Sequence, residues 1–206
     1  MTRRITALIP AAGRGRRFGG GKLRAPVGGQ ALIRHVVACY ATHPAFDPVI
    51  IVTGADGAAL RRALKGLKCR CISAPAPGAG MAASLKAGAR AAPPDQAVAI
   101  QPADMPLINH ALLDEMLRRH RPHRIVRPVH EGVPGHPVIW PARALPRLRQ
   151  MTGENGARRL LTRWSALLDR APWDETAIFD VDRPGDLARL KANRGHAWGQ
   201  YSSGRG

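Results

Sequence analysis

The stretch Ala11-Ala12-Gly13-Arg14-Gly15-Arg16-Arg17-Phe18-Gly19-Gly20-Gly21-Lys22 joins open backbone amides to fixed positive charge. Gly13 and Gly15 let a ligand approach the main chain, while Arg17 and Lys22 supply cations. Such a loop can wrap a triphosphate, its N–H groups meeting anionic oxygens and its side chains neutralising them. A Walker A loop would need Gly at Arg16 and Ser or Thr at Leu23, and a dinucleotide fingerprint would need a third Gly where Phe18 stands. The loop is neither. A solvated basic turn is the plainer alternative for the same residues.

Carboxylates are few, 14 Asp+Glu in 206 residues, so each can be weighed. Asp104 is walled by Pro102 and Pro106, which hold its loop in a fixed shape. Asp180 and Asp182 alternate about Val181; on a strand both would share one face. For Asp182, an N-cap ahead of Arg183-Pro184 is the alternative. Cys39, Cys69 and Cys71 are odd in number and sparse, which does not suit a disulfide scaffold. Cys69-x-Cys71 reads as two ordinary strand residues, and His120-x-x-His123 sits among arginines, a poor setting for a divalent cation.

The elements that must position these groups alternate. Ile5–Pro10 reads as a buried strand feeding the Gly-rich loop, and Ala31–Ala41 as a helix. Pro48–Thr53 is a β-branched strand, Asp56–Leu67 a helix with Asp56 at its N-cap, and Lys68–Ser73 a short strand. Met81–Ala92 and Asn109–Arg119 (capped by Asn109) read as helices around a strand at Ala97–Gln101. The second half is more mixed, with strands at Ile125–Val129, Pro137–Trp140 and Ala177–Val181 and helices at Ala142–Gln150 and Asn155–Trp164. The alternation predicts an α/β, Rossmann-like three-layer sandwich with a mostly parallel central sheet. Ligands of such sheets bind beyond the carboxyl ends of the strands, so the loops 11–22, 74–80 and 102–108 should share one edge. Residues 1–192 read as a single domain and 193–206 as a disordered tail.

Composition bounds the function. With 45% hydrophobic but 4% aromatic residues, the core is built from Ala, Leu, Val and Ile. No apolar run approaches the ~20 residues of a membrane span, and the apolar stretch after Arg3-Arg4 is too short for an export signal, so a cytoplasmic protein without a membrane partner is expected. The 32 Lys+Arg give a net charge of +18, but they spread over the whole chain with no stripe or nucleic-acid module. A dedicated nucleic-acid partner is not expected. A small polyphosphate fits the charge as well.

The spacing A-A-G-x-x-x-R-x-G-x-x-K, from Ala11, Ala12, Gly13, Arg17, Gly19 and Lys22, resembles the signature of nucleotidyltransferases of the molybdenum cofactor type, in particular their cytidylyl branch. Five further segments follow in that family's order. Gly80-Met81-Ala82-Ala83-Ser84-Leu85 resembles its nucleotide-binding loop and helix start, and Asp104-Met105-Pro106 its metal-binding D-x-P. Gly135-His136-Pro137-Val138 resembles its G-H-P-V strand, Gly153-Glu154-Asn155-Gly156-Ala157-Arg158 its G-D-x-G-A-R, and the segment from Asp180 to Leu187 its closing D-I-D-T-P-E-D-L. Gly15, Phe18 and Glu154 depart from the family's usual Ser, Met and Asp.

The resemblance implies a nucleotidyltransferase fold and an enzyme: a terminal phosphate of the molybdenum-pterin cofactor attacks the α-phosphorus of CTP and pyrophosphate leaves. It implies Mg2+, with Mn2+ as an alternative, and a recipient molybdoenzyme or its chaperone as a candidate partner. Lys22, Arg17 and Asp104 then fall in the catalytic set. Pro10, Ala11, Ala12, Gly13, Gly15, Lys22, Gly80 and Ser84 fall on the nucleotide, and Asp104, Asp182 and Asp180 on the metal. His136 and Arg158 fall on the acceptor side. Ser84 and Arg158 each fit an ordinary helix surface too. Pro10-Ala11-Ala12-Gly13 matches the cytidylyl branch, whereas the guanylyl branch carries L-A-G-G. Guanylyl transfer, another phosphorylated acceptor, or a noncatalytic carrier for an anionic cofactor are the competing readings.

Overall fold

A computed structural model of the chain describes residues 4–13, 18–74, 80–151 and 156–192. Strand β1 (Ile5–Ala11) is buried along its whole length. It pairs in parallel with β4 (Phe46–Thr53) on one side and β6 (Val98–Ile100) on the other. Beyond β4 lies β5 (Arg70–Ser73), also parallel. On the far side β9 (Val138–Trp140) runs antiparallel to β6 and to β7 (Ile125–His130), and β10 (Leu168–Pro172) closes that edge parallel to β7. The order is therefore β10-β7-β9-β6-β1-β4-β5, with the short β8 (Val133–Pro134) folded back on β7. A two-stranded ribbon, β2 (Pro26–Val27) with β3 (Gln30–Ala31), stands apart. The expected α/β sandwich with a mostly parallel sheet is what the chain forms.

The period-2 alternation of the buried strands divides the core between the two faces of the sheet. Ile9 and Ile51 turn towards α1 (Leu32–Ala41), α2 (Gly57–Ala63) and α4 (His110–Arg119), meeting Val36, Tyr40, Leu60 and Leu112. Leu8, Ile50 and Val52 turn the other way, towards α3 (Gly80–Ala91) and α5 (Leu145–Arg149), with α6 (Gly156–Arg163) packed at the margin. Arg149 secures that layer by donating to the carbonyls of Ala89 and Ala92, 2.9 Å each, at the C-terminal end of α3. A third, smaller cluster joins Val27, Leu32, Leu107, Val181 and Leu190 with Phe18 and Leu23. It packs the closing helix α7 (Pro184–Ala192) against the Gly-rich loop.

Three sequence expectations change. Ala177–Val181 is not a strand. Glu175–Ala177 is a 3-10 turn, and Ile178 and Phe179 both donate to Glu175 O. The strand at that edge is β10, nine residues earlier than the apolar pattern suggests. Asp56 does stand at the N-cap of α2, but its side chain makes no capping bond, and that helix ends at Ala63 rather than Leu67. Asn109 caps α4 as expected, accepting from Leu112 N at 2.9 Å. The 193–206 tail, Gly15, Arg17, Glu154 and most of the 74–80 loop lie outside the described residues.

Candidate active site

Because β1, β4 and β6 run parallel, their carboxyl ends meet at one edge, and a cavity of about 760 Å³ opens there. Pro10 to Gly13 form one wall, Gly19 to Arg24 a second and Pro102 to Asp104 a third. Two of the three loops expected to share this edge therefore do. The sequence reading missed a fourth contributor, Gly54-Ala55-Asp56 after β4. Asp56 stands 3.8 Å from Arg24 across the mouth, an exposed pair of little energetic weight.

Lys22 is placed by a turn that only glycine makes without strain: Gly19, Gly20 and Gly21 take φ of 81°, 94° and 66°. The chain then enters a 3-10 turn at Lys22–Arg24, with Arg24 N donating to Gly21 O at 2.8 Å. Lys22 Nζ reaches Asp104 Oδ2 at 2.7 Å and Asp182 Oδ1 at 3.2 Å. Burial disfavours the ammonium, but its bonds to Asp104 and then Asp182 more than offset this and hold the pKa above the ordinary lysine value. Three residues far apart in sequence thus form one charged cluster.

Asp182 arrives by a route other than the expected strand. Val181 N donates to Asp104 O at 2.9 Å, tying the two acidic segments together by backbone. Asp186, in the first turn of α7, then accepts from both Asp182 N (2.9 Å) and Arg183 N (2.8 Å). The capping carboxylate is Asp186, not Asp182, reaching back as the third residue of a capping box does. Asp182 is left to face Lys22. Asp180 lies exposed beside them, its carboxyl raised above the usual range by desolvation and then by the charges of Asp182 and Asp104.

Among the described residues no three His, Cys, Asp or Glu side chains form a ready metal cluster. The donors nonetheless suit a hard cation such as Mg2+, which takes one or two carboxylates and completes its shell with water and phosphate oxygens. Asp104 and Asp182, both within 3.2 Å of Lys22 Nζ, are two carboxylates of that chemical kind.

His136 lies just before β9 and does not line the cavity; its Nδ1 is 3.4 Å from Ile100 O at the end of β6. A carbonyl only accepts, so Nδ1 carries the proton and Nε2 the lone pair in the neutral ring. Desolvation, then the nearby Arg127 guanidinium, lowers its pKa to about 4. The native protein therefore binds fewer protons than the unfolded chain between about pH 4 and 6.5 and loses stability as pH falls through that window. Relative to pH 7, wild type should lose roughly 2–3 kcal/mol at pH 4.5 through this group, and His136→Gln should remove that part of the slope in urea denaturation. Equal slopes in the two proteins would refute the assignment.

Gly135 shows how tightly this region is joined. A Cβ there would stand 2.4 Å from Ala177 O, and His136 N donates to the same oxygen at 2.9 Å. Arg127 braces the turn from behind, its Nε 2.9 Å from Gly135 O. The other candidates are not gathered in. Ser84 is buried at 4% exposure and does not line the cavity, whereas Met81, one turn earlier, does. Arg158 is exposed on α6, and Gly80 opens α3.

Residues 7–170 match the family described as MobA-like NTP transferase domain. The chain belongs to that family. A 2-C-methyl-D-erythritol 4-phosphate cytidylyltransferase of Xanthomonas euvesicatoria pv. vesicatoria is 37% identical over 123 residues, 57% of this chain and 46% of that protein. The chain thus spans about half the length of this relative. The nicotine blue oxidoreductase of Paenarthrobacter nicotinovorans is 27% identical over 90% of this chain and 96% of its own. Among solved structures, Rv0371c from Mycobacterium tuberculosis H37Rv superposes with a TM-score of 0.79 at 23% identity, covering 93% of this chain and all of that one. Its complex with manganese superposes at 0.73 and 22% identity, over 92% and 99% of the two chains. At these identities the structures share the fold of this MobA-like domain. No described helix is long and apolar enough to cross a membrane.

Proposed function

We propose that this chain transfers CMP from CTP to the terminal phosphate of the molybdenum-pterin cofactor, releasing pyrophosphate. The observation that carries the transferase reading is Lys22 held between Asp104 and Asp182 at the end of a cavity walled by Pro10 to Gly13. Transfer of this kind needs little covalent help; it needs in-line positioning and cancellation of charge. The amides of the Gly-rich loop and the Lys22 ammonium supply cancellation on the nucleotide side. Asp104 and Asp182 would hold Mg2+ or Mn2+, which would supply further cancellation of phosphate charge. A phosphate nucleophile is already ionised near neutral pH, so no general base is required. A His136 neutral at that pH accordingly offers the acceptor a hydrogen bond rather than a charge or a proton.

The choice of CTP rests on Pro10 and Ala12. Pro10 removes an N–H at the end of β1, and the Ala12 methyl narrows the room for a purine. A pocket shaped for pyrimidine discriminates partly by size and partly by leaving polar groups unpaired against the wrong base. The molybdenum-pterin acceptor rests on the motif order from Gly135 to Leu187.

Pyrophosphate release with each nucleoside triphosphate, with and without the pterin cofactor, tests all of this. Turnover with CTP and the pterin is expected, with GTP poorer by about tenfold or more. Pro10→Leu with Ala12→Gly should shift the preference towards GTP. Equal use of CTP and GTP by the wild type refutes the base reading alone. Turnover only with a sugar phosphate refutes the acceptor. The near full-length likeness to a nicotine blue oxidoreductase supports a second reading, a redox enzyme on this fold. No pyrophosphate with any nucleotide, together with oxidation of a reduced nicotinamide nucleotide, would favour it.

A further inference from the structure

Among the described residues, Lys22 is a cation shared by two carboxylates that a divalent ion would also use. Its Nζ lies 2.7 Å from Asp104 Oδ2 and 3.2 Å from Asp182 Oδ1, with its side chain 11% exposed. The backbone segments that carry the two carboxylates are fixed by bonds that do not involve Lys22: Asp104 and Val181 through their backbones, and the amides of Asp182 and Arg183 through Asp186. The lysine, by contrast, rides on a glycine turn with an unbranched four-carbon stem. The acids stand on anchored backbone, and the ammonium stands at the end of a long flexible stem.

A divalent ion seated on both carboxylates would stand within a few ångströms of the ammonium, where like charges repel strongly at any protein dielectric. The two cations therefore compete. We propose that the Lys22 ammonium is a stand-in for the divalent cation, held on Asp104 and Asp182 until the phosphates of an incoming nucleotide draw it away and open both carboxylates to the metal. Metal and nucleotide then strengthen each other's binding, and by linkage the factor is the same in either direction. The inference rests on the reading that the cavity takes a nucleoside triphosphate.

It also separates two roles that a fixed site would merge. Lys22 offsets part of the acids' charge while the cavity is empty and offsets phosphate charge when it is full. The protein avoids stranding two like charges in either state, which would be costly at partly buried positions.

The test is Mn2+ binding to the protein without nucleotide, read from loss of the free-ion signal in electron paramagnetic resonance. Wild type should bind weakly. Lys22→Met should bind tighter by about 5- to 150-fold, the usual range of a coupling between sites, and Lys22→Arg, which keeps the charge, should stay near wild type. Asp104→Asn placed on Lys22→Met should remove the gain. Lys22→Gln serves in the same way if the Met variant does not fold, judged by its thermal transition. A Met or Gln variant that folds and binds Mn2+ no tighter than wild type overturns the proposal. CTP binding to wild type, measured separately by calorimetry, keeps the outcomes apart. If CTP does not bind although Lys22→Met gains Mn2+, the nucleotide reading falls while the competition for the carboxylates stands. If CTP binds and no gain appears, the stand-in falls.

Discussion

Asp104→Asn is expected to lower kcat by about two to three orders of magnitude, the loss typical when one preorganised charge-stabilising group is removed from an active site. The substitution is isosteric, and the Asp104 carbonyl that holds Val181 N at 2.9 Å belongs to the backbone, so the acidic segments stay joined. What changes is electrostatic. The 2.7 Å bond to Lys22 loses its anion, and a hard cation loses a charged oxygen donor. Asp182 still holds Lys22 at 3.2 Å, so the stability cost should stay near 1–3 kcal/mol. Asp182→Asn should follow the same pattern with a smaller stability cost, because its carboxylate is the more exposed of the two. Steady-state pyrophosphate release across a magnesium titration, with urea denaturation in parallel, checks both effects. Full activity of both variants at limiting magnesium would make these carboxylates structural.

Gly135→Ala should be the most damaging change of a residue that carries no functional group. The added Cβ would stand 2.4 Å from Ala177 O and 2.9 Å from Ala177 C, and backbone cannot yield as a side-chain tip can. Either the turn before β9 or the segment after Ala177 must move. The second route shifts the chain that carries Asp180 and Asp182. A cost of about 1–3 kcal/mol is expected from overpacking. A displacement of about 1 Å at the reacting groups should cost a further factor of roughly 10² in turnover. Measuring kcat on the folded fraction separates the two effects. A variant that is destabilised but fully active per folded molecule would show that the segment moves without disturbing the carboxylates.

Residues that act locally were legible in the sequence. Pro102 and Pro106 announced a fixed loop around Asp104, and Asn109 announced a helix start. The glycine run announced the turn that delivers Lys22. Its pairing with two acids 82 and 160 positions away had no local signature, because the contacts exist only once β1 and β6 lie side by side. Ala177–Val181 misled because Ile178, Phe179 and Val181 are apolar for a different reason than sheet burial. Val181 is buried and Phe179 partly so in the small cluster under α7, while the backbone turns in 3-10 fashion. β10 was missed for the converse reason. Leu168–Pro172 mixes Asp169, Arg170 and a proline, as an edge strand does when only one side has a neighbour. Ser84 invited a nucleotide contact by its motif, yet it lies one turn deeper along α3 and is buried, while Met81 in the first turn reaches the cavity. The site was readable as a list of residues but not as a set of partners.

The reversal of β9 has a consequence for how such a protein can change over time. Were β9 parallel to its neighbours, its start would lie at the far edge of the sheet, away from the cavity. Because it runs the other way, with Val138 opposite Ile100, the residues just before it arrive at the carboxyl end of β6. That edge of the sheet is therefore furnished by two sets of segments. One is the run of loops after β1, β4 and β6, and the other is the approach to β9 together with the chain past Ala177. Under the proposed function, mutation in the approach to β9 can retune what enters opposite the nucleotide while the glycine turn that carries Lys22 keeps its sequence. Under the same reading, one nucleotide pocket can be kept while the acceptor is exchanged through the approach to β9.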